Sequence, residues 1–209
     1  MSYFLGSTKQ KEIIVILICR HGQTKWNLEN RKQGWLDSEL TELGKSQATA
    51  IKFGLKTFCQ EKKFKVICSP LGRVKSTAKI ALSEATYLSE ITYDDRLKEH
   101  GFGTWEGLNL EEIEERFPGM QDQRDKDCWN FKLPEGESYA VLESRLTSFL
   151  QSIDKSQDII LFCHEMVSKT LRKILLGLTE NQTINLTHDQ FSFFIIDNRK
   201  VHQYNCNPH

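Results

Sequence analysis

The sequence predicts an α/β domain: a mainly parallel central sheet with helices on both faces, a small helical cap or insertion, and a C-terminal β-hairpin. Three observations point there. Short apolar runs at Ile13–Cys19, Phe64–Cys68 and Ile159–Cys163 read as strands, the first β-branched and unbroken as a strand covered on both faces requires. Helical periodicity follows each of them. Phe191–Ile196 and Val201–Asn205, separated by Asp197, Asn198, Arg199 and Lys200, read as a terminal hairpin.

The elements follow in order. After the first strand and a polar loop, Leu43, Ala50, Ile51, Leu55 and Phe58 recur at helical spacing. Ser69 and Pro70 stop the second strand, and a helix from near Leu71 toward Leu82 carries Val74, Ala78 and Ala81 on one face. Ile91–Tyr93 reads as a third strand. From Glu99 to Gly107, three glycines around two aromatics suit an exposed, tightly turned loop. Leu110 to Asn130 is charged and broken by Pro118 and Gly119, which reads as a helical cap, with the insertion placed at about 108–134. Its aromatics Trp129 and Phe131 are read as packing that cap. Ser138 precedes a helix whose apolar face holds Leu142, Leu146, Phe149, Leu150 and Ile153. After the late strand, Val167, Leu171, Ile174, Leu175 and Leu178 mark another.

At 209 residues the chain suits one domain, 1–209, able to bury a substantial core. Lys plus Arg and Asp plus Glu are 28 each, so no overall field attracts nucleic acid or an anionic membrane, and any cation site must be local. The run from Ile13 is too short to span a bilayer. Although Lys9 and Lys11 precede it, it also lacks the length and cleavage site of a secretory signal, so the protein is read as cytoplasmic. The six cysteines form no Cys-x-x-Cys pair and are read as reduced, with Cys19, Cys68 and Cys163 each closing an apolar run.

In open α/β sheets ligands bind beyond the carboxyl ends of the strands. There the sequence places Arg20, His21 and Gly22 after the first strand, Arg73 just past the second, and His164 after the late one. Two arginines are forked donors that match phosphate oxygens, and Arg73 in a first helical turn adds its charge at a positive helix end. Charge repulsion from such neighbours keeps a histidine neutral and nucleophilic, which suits attack by His21 on phosphorus and a covalent phosphohistidine. Glu99, in the glycine-rich loop, is the candidate proton donor and later the base for water, held protonated by a nearby phosphate.

Arg20-His-Gly-Gln-Thr-Lys-Trp-Asn27 resembles the signature of the histidine phosphatase superfamily, the branch with cofactor-dependent phosphoglycerate mutases and small phosphatases. The resemblance continues through Gln33 to Gly44, Ser69 to Ala78, Leu97 to Gly107, Pro134 to Ser138 and Cys163-His164, spanning Ile14 to about Gly177. It implies that His21 is the phosphorylated nucleophile and Glu99 the proton donor. Arg20, Asn27, Arg73 and His164 would form the phosphate-binding shell, with Gln33 and Gly34 lining the substrate side. It implies no cofactor and no metal, and a small phosphomonoester as substrate. Glu165 departs from the family's usual glycine; a carboxylate there could disfavour highly anionic substrates or bind a cationic group.

The path from Trp105 to Ser138 is that of the shorter phosphatases rather than of the longer mutases, and the alternatives are a mutase or a phospho-partner-binding scaffold. Cys68-Ser-Pro-Leu-Gly-Arg73 resembles a cysteine-phosphatase loop but is one residue short, with a proline where an N–H is needed. His164-Glu-Met-Val-Ser168 lacks the second histidine of a zinc helix. Lys62, Lys63 and Lys65 make no basic stripe for nucleic acid and are read as a solvated helix end.

Overall fold

A computed structural model describes residues 14–60, 62–85, 90–154 and 156–206. In chain order it contains β1 (Ile16–Arg20), α1 (Lys25–Leu28), α2 (Glu42–Cys59), β2 (Phe64–Cys68), α3 (Gly72–Ala81) and β3 (Ile91–Tyr93). Short 3₁₀ turns at Asp95–Leu97 and Gly103–Trp105 lead to α4 (Leu110–Arg116) and α5 (Met120–Lys126). Then come α6 (Tyr139–Ser152), β4 (Asp158–Cys163), α7 (Glu165–Leu176), α8 (Glu180–Ile184), β5 (Ser192–Asp197) and β6 (Lys200–Asn205).

The strand order is β3-β2-β4-β1-β5-β6. β3, β2, β4 and β1 run parallel, and β5 pairs antiparallel with both β1 and β6, so the expected mainly parallel sheet with a terminal hairpin is present. Alternation along β1 sends its side chains to two cores. Ile16 and Ile18 join Leu142, Leu146, Phe149, Val167 and Leu171 of α6 and α7 on one face. Leu17 and Cys19 join Ile51, Leu55, Val74 and Ala78 of α2 and α3 on the other. Each such aliphatic side chain contributes about 1.5–3 kcal/mol on burial, which ties all four helices to the strand that carries Arg20 and His21.

Several boundaries differ from the sequence reading. The first strand starts at Ile16 and reaches Arg20, because Val15 N–H donates to the Asp158 carboxylate rather than to the ladder; Ile13, Lys9 and Lys11 lie outside the described residues. α7 ends before Leu178, since Gly177 takes a left-handed conformation at φ 73° and turns the chain away. The hairpin turns on Asn198 and Arg199 alone, both at positive φ, while Asp197 and Lys200 still pair, and its first strand begins at Ser192, one residue after Phe191. Lys65 belongs to β2, not to a helix end.

The Glu99–Gly107 segment is not exposed: Glu99, His100, Phe102 and Trp105 are all buried, and its second half is a 3₁₀ turn. Phe102 and Trp105 form a third cluster with Ile113 of α4 and Leu133, so the segment is held between the sheet and the cap helices. Trp129 belongs to the main core, stacked on Tyr139 at 5.1 Å, whereas Phe131 packs with the cap cluster. Among the described residues no helix is long and apolar enough to cross a membrane, and all six cysteines are free thiols.

Candidate active site

The parallel strands present their carboxyl ends along one edge, and a cleft of about 600 Å³ opens there. Arg20, His21, Asn27, Gln33, Gly34, Arg73, Glu99 and Glu165 line it, so eight of the nine residues singled out from the sequence share one wall. The ninth, His164, caps the start of α7 with its ring edge-on to His21, centroids 5.2 Å apart.

Local chemistry fixes His21. Gly22 must be glycine, because a Cβ there would lie 2.3 Å from the Gly44 carbonyl oxygen. The Gly22 carbonyl lies 2.8 Å from His21 Nδ1 and can only accept, so Nδ1 carries the proton and Nε2 is left with its lone pair. Burial above all, then the charges of Arg73 and Arg20, pushes the imidazole's pKa well below the usual value. The charge repulsion anticipated from the sequence is therefore real but second to desolvation.

Arg73 is held by the segment 33–37. Its guanidinium donates to the Gly34 carbonyl at 2.8 Å, the Leu36 carbonyl at 2.7 Å and Asp37 Oδ1 at 3.0 Å. The same Asp37 carboxylate accepts from the backbone N–H groups of Gly72 and Arg73, capping α3 from a distant loop where Leu71 offers no side-chain cap. Arg20 donates to the His188 carbonyl at 2.7 Å and pairs with Glu165 at 2.9 Å. His188 is itself buried and kept neutral, its pKa pushed down to about 3 by burial and by Arg20 and Arg172. Asn27 closes a capping box on Thr24 and accepts from Gln190, which turns its amide nitrogen into the free end.

Among the described buried polar atoms without a hydrogen-bond partner are Arg20 Nε, Arg73 Nε, His164 Nδ1 and Gln33 Oε1. Three of the four can be donors, on three different elements. Unmade hydrogen bonds of this kind cost about 1–3 kcal/mol each and are normally avoided, so their gathering around His21 marks a place for an acceptor-rich anion. His164 Nε2 is already matched with Ser69 Oγ at 2.8 Å, and burial followed by the Arg73 charge holds its pKa well below normal.

Glu99 is buried, and burial raises its pKa even though the His100 N–H and Arg73 oppose the shift. No phosphate is needed to start that shift. The residue is held through its backbone: the Glu99 carbonyl accepts from Trp35 Nε1 and from Arg145, each at 2.8 Å. Arg145 is in turn bound by both oxygens of Glu137, whose Oε2 also accepts from Gly101 N–H.

Arg145, Glu137, His188, Asp37 and Glu106 escaped the sequence reading. They support the wall from elements that meet only in the folded chain; Asp37, Glu106 and Glu137 lay inside matched stretches without being singled out, and Arg145 and His188 lay outside them. Cys68, the thiol of the cysteine-loop alternative, sits in the core with Leu17 and Val74 rather than on the cleft wall, and burial pushes its pKa up to about 12.

Residues 16–204 match the family model described as histidine phosphatase superfamily (branch 1). Phosphoserine phosphatase 1 of Hydrogenobacter thermophilus is 28% identical over 88% of this chain and 86% of its own length. "Probable phosphoglycerate mutase GpmB" of Escherichia coli is 30% identical, covering 79% of this chain and 76% of that protein. The crystal structure of the alpha-ribazole phosphatase from Shigella flexneri superposes with a TM-score of 0.80 at 22% identity, covering 93% and 96% of the two chains, which is a likeness of fold.

Proposed function

This chain belongs to the histidine phosphatase superfamily (branch 1), and we propose that it hydrolyses a small phosphomonoester through a covalent phosphohistidine on His21, without a metal. The reaction class, phosphoric monoester hydrolysis, follows from the family and its phosphatase relatives. The observation that carries the mechanism is the set of unpartnered buried donors, Arg20 Nε, Arg73 Nε and His164 Nδ1, around a histidine whose tautomer leaves Nε2 free.

In the first step His21 Nε2 attacks phosphorus while Glu99, whose pKa burial raises, gives its proton to the departing alkoxide. Arg20, Arg73, Asn27 and His164 hold the equatorial oxygens, and their fixed dipoles need no reorganisation as charge spreads over them. The Glu99 carboxylate then takes a proton from water, which displaces His21 and releases phosphate. Of these donors the two arginines supply the positive charge a metal would otherwise provide.

The test is phosphate release from a panel of phosphomonoesters in excess chelator, with 3-phosphoglycerate included and 2-phosphoglycerate formation followed in parallel, since one relative is named a mutase. Wild-type protein is expected to release phosphate without isomerisation and to form an acid-labile phosphoenzyme. His21→Ala should lose both by at least ~10³-fold. Undiminished turnover in His21→Ala refutes the mechanism, and net isomerisation would make the protein a mutase.

A further inference from the structure

Glu165 is out of place in an anion site. Its Oε2 pairs with Arg20 at 2.9 Å, occupying a guanidinium edge that a phosphate would use, while Oε1 lies 3.5 Å from Lys169 one turn along α7. The side chain keeps about a third of its surface exposed and lines the cleft. A phosphate dianion gripped by Arg20 would face this carboxylate across the guanidinium. Two like charges roughly 5 Å apart, at an effective dielectric of about 20, differ from a neutral pair by on the order of a hundredfold in affinity. Exposure screens this to about tenfold.

The other charges of the wall stand apart from Arg20: Glu29, Arg31, Lys32 and Glu111 line the cleft as well, and none of them is bound to that guanidinium. Arg31 is bound by both oxygens of Glu112 and by Glu29, and burial favours the neutral acid at Glu99. Lys32 has no ion-pair partner among the described residues and rests 5.6 Å from the centre of the Phe102 ring. Glu165 differs from the other cleft carboxylates, Glu29 and Glu111, in being bound directly to Arg20, which sets it beside the phosphate position.

Resting on the phosphatase reading above, we infer that Glu165 selects phosphomonoesters whose alcohol carries an ammonium group close to the ester and rejects those with a second anion there. Arg20 takes the phosphate through its open Nε, and the Glu165 carboxylate beside it, about a third exposed, receives the substrate's ammonium. The charge cluster then stays balanced, with Arg20 on phosphate and Glu165 on the amine.

The experiment compares kcat/KM for phosphoethanolamine, phosphoglycolate and glycerol phosphate in the full chain, as wild type, Glu165→Gln and Glu165→Asp. Each charged ester is normalised to glycerol phosphate, whose alcohol is neutral, so a general loss of fold or catalysis cancels. Wild-type protein should prefer phosphoethanolamine over phosphoglycolate. Glu165→Gln should lower that ratio tenfold or more, and Glu165→Asp, which keeps the charge, should retain the preference. A ratio in Glu165→Gln within twofold of wild type, or a wild type preferring phosphoglycolate, overturns the inference while leaving the phosphatase reading standing. No hydrolysis of these three or of the wider ester panel, together with no acid-labile phosphoenzyme, would remove the reading itself, and this inference with it.

Discussion

Replacing Arg145 with methionine separates what holds the fold from what positions the acid. The guanidinium is bound to both oxygens of Glu137 at 2.8 and 2.9 Å, and donates to the carbonyls of Glu99 and Arg96. Burial, the largest single influence, would push the Glu137 carboxyl up, but the Arg145 pair, with the Gly101 N–H, holds the pKa below the usual value. Arg145→Met leaves that carboxylate buried without its counter-ion, a loss of about 3–5 kcal/mol. At roughly 2–4 °C per kcal/mol for a chain of this size, Tm should fall by about 6–20 °C. Glu99 also loses one of the two donors on its carbonyl, and a misplacement on the order of 1 Å costs about a hundredfold in kcat. Adding Glu137→Gln removes the stranded charge while its amide oxygen still accepts from Gly101 N–H, so the double variant should regain part of the lost Tm. Its kcat should stay low, because nothing replaces the donor to Glu99. Thermal denaturation and steady-state kinetics on the wild type, Arg145→Met, Glu137→Gln and the double variant check this. A double variant that recovers kcat along with Tm, or a single variant that loses neither, refutes the reasoning.

Two further outcomes are expected. His21 must be neutral, so kcat/KM is retained above its depressed pKa and lost as pH falls through it; Glu99 must be protonated, so activity is lost as pH rises through its elevated pKa. The pH profile should be a bell displaced to the acid side, and in Glu99→Gln the weak residual activity should keep the acid limb and lose the alkaline one. Gly34→Ala places a Cβ at φ 52° and 2.0 Å from Glu106 Oε1, the atom that accepts from the N–H groups of Trp35 and Phe102. Backbone strain of about 1–2 kcal/mol plus about 1 kcal/mol for each bond lost should lower Tm by roughly 6–16 °C, measured by calorimetry. KM should rise as segment 33–37 releases Arg73.

Strands, helices and most of the site wall were legible from residue order alone, because the information there is local. An apolar run ending in Arg20-His21, or in Cys163-His164, reports both a strand and what stands at its end, and α/β topology sends those ends to one edge. Burial of the Glu99 loop was not legible: its glycines mark turns, but the Phe102 and Trp105 rings that bury it find Ile113 and Leu133 only after folding. The same holds for Asp37 capping α3, for His188 and Glu165 dividing Arg20 between them, and for Arg145 fixing the Glu99 carbonyl from α6. Residue order alone therefore determined which chemical groups stand at the sheet edge, since each sits within a few positions of a periodic element. Tertiary structure decided their states, the tautomer of His21, the depressed and raised pKa values, and which donors remain open. Those depend on desolvation and on partners dozens of residues away, which no local pattern encodes.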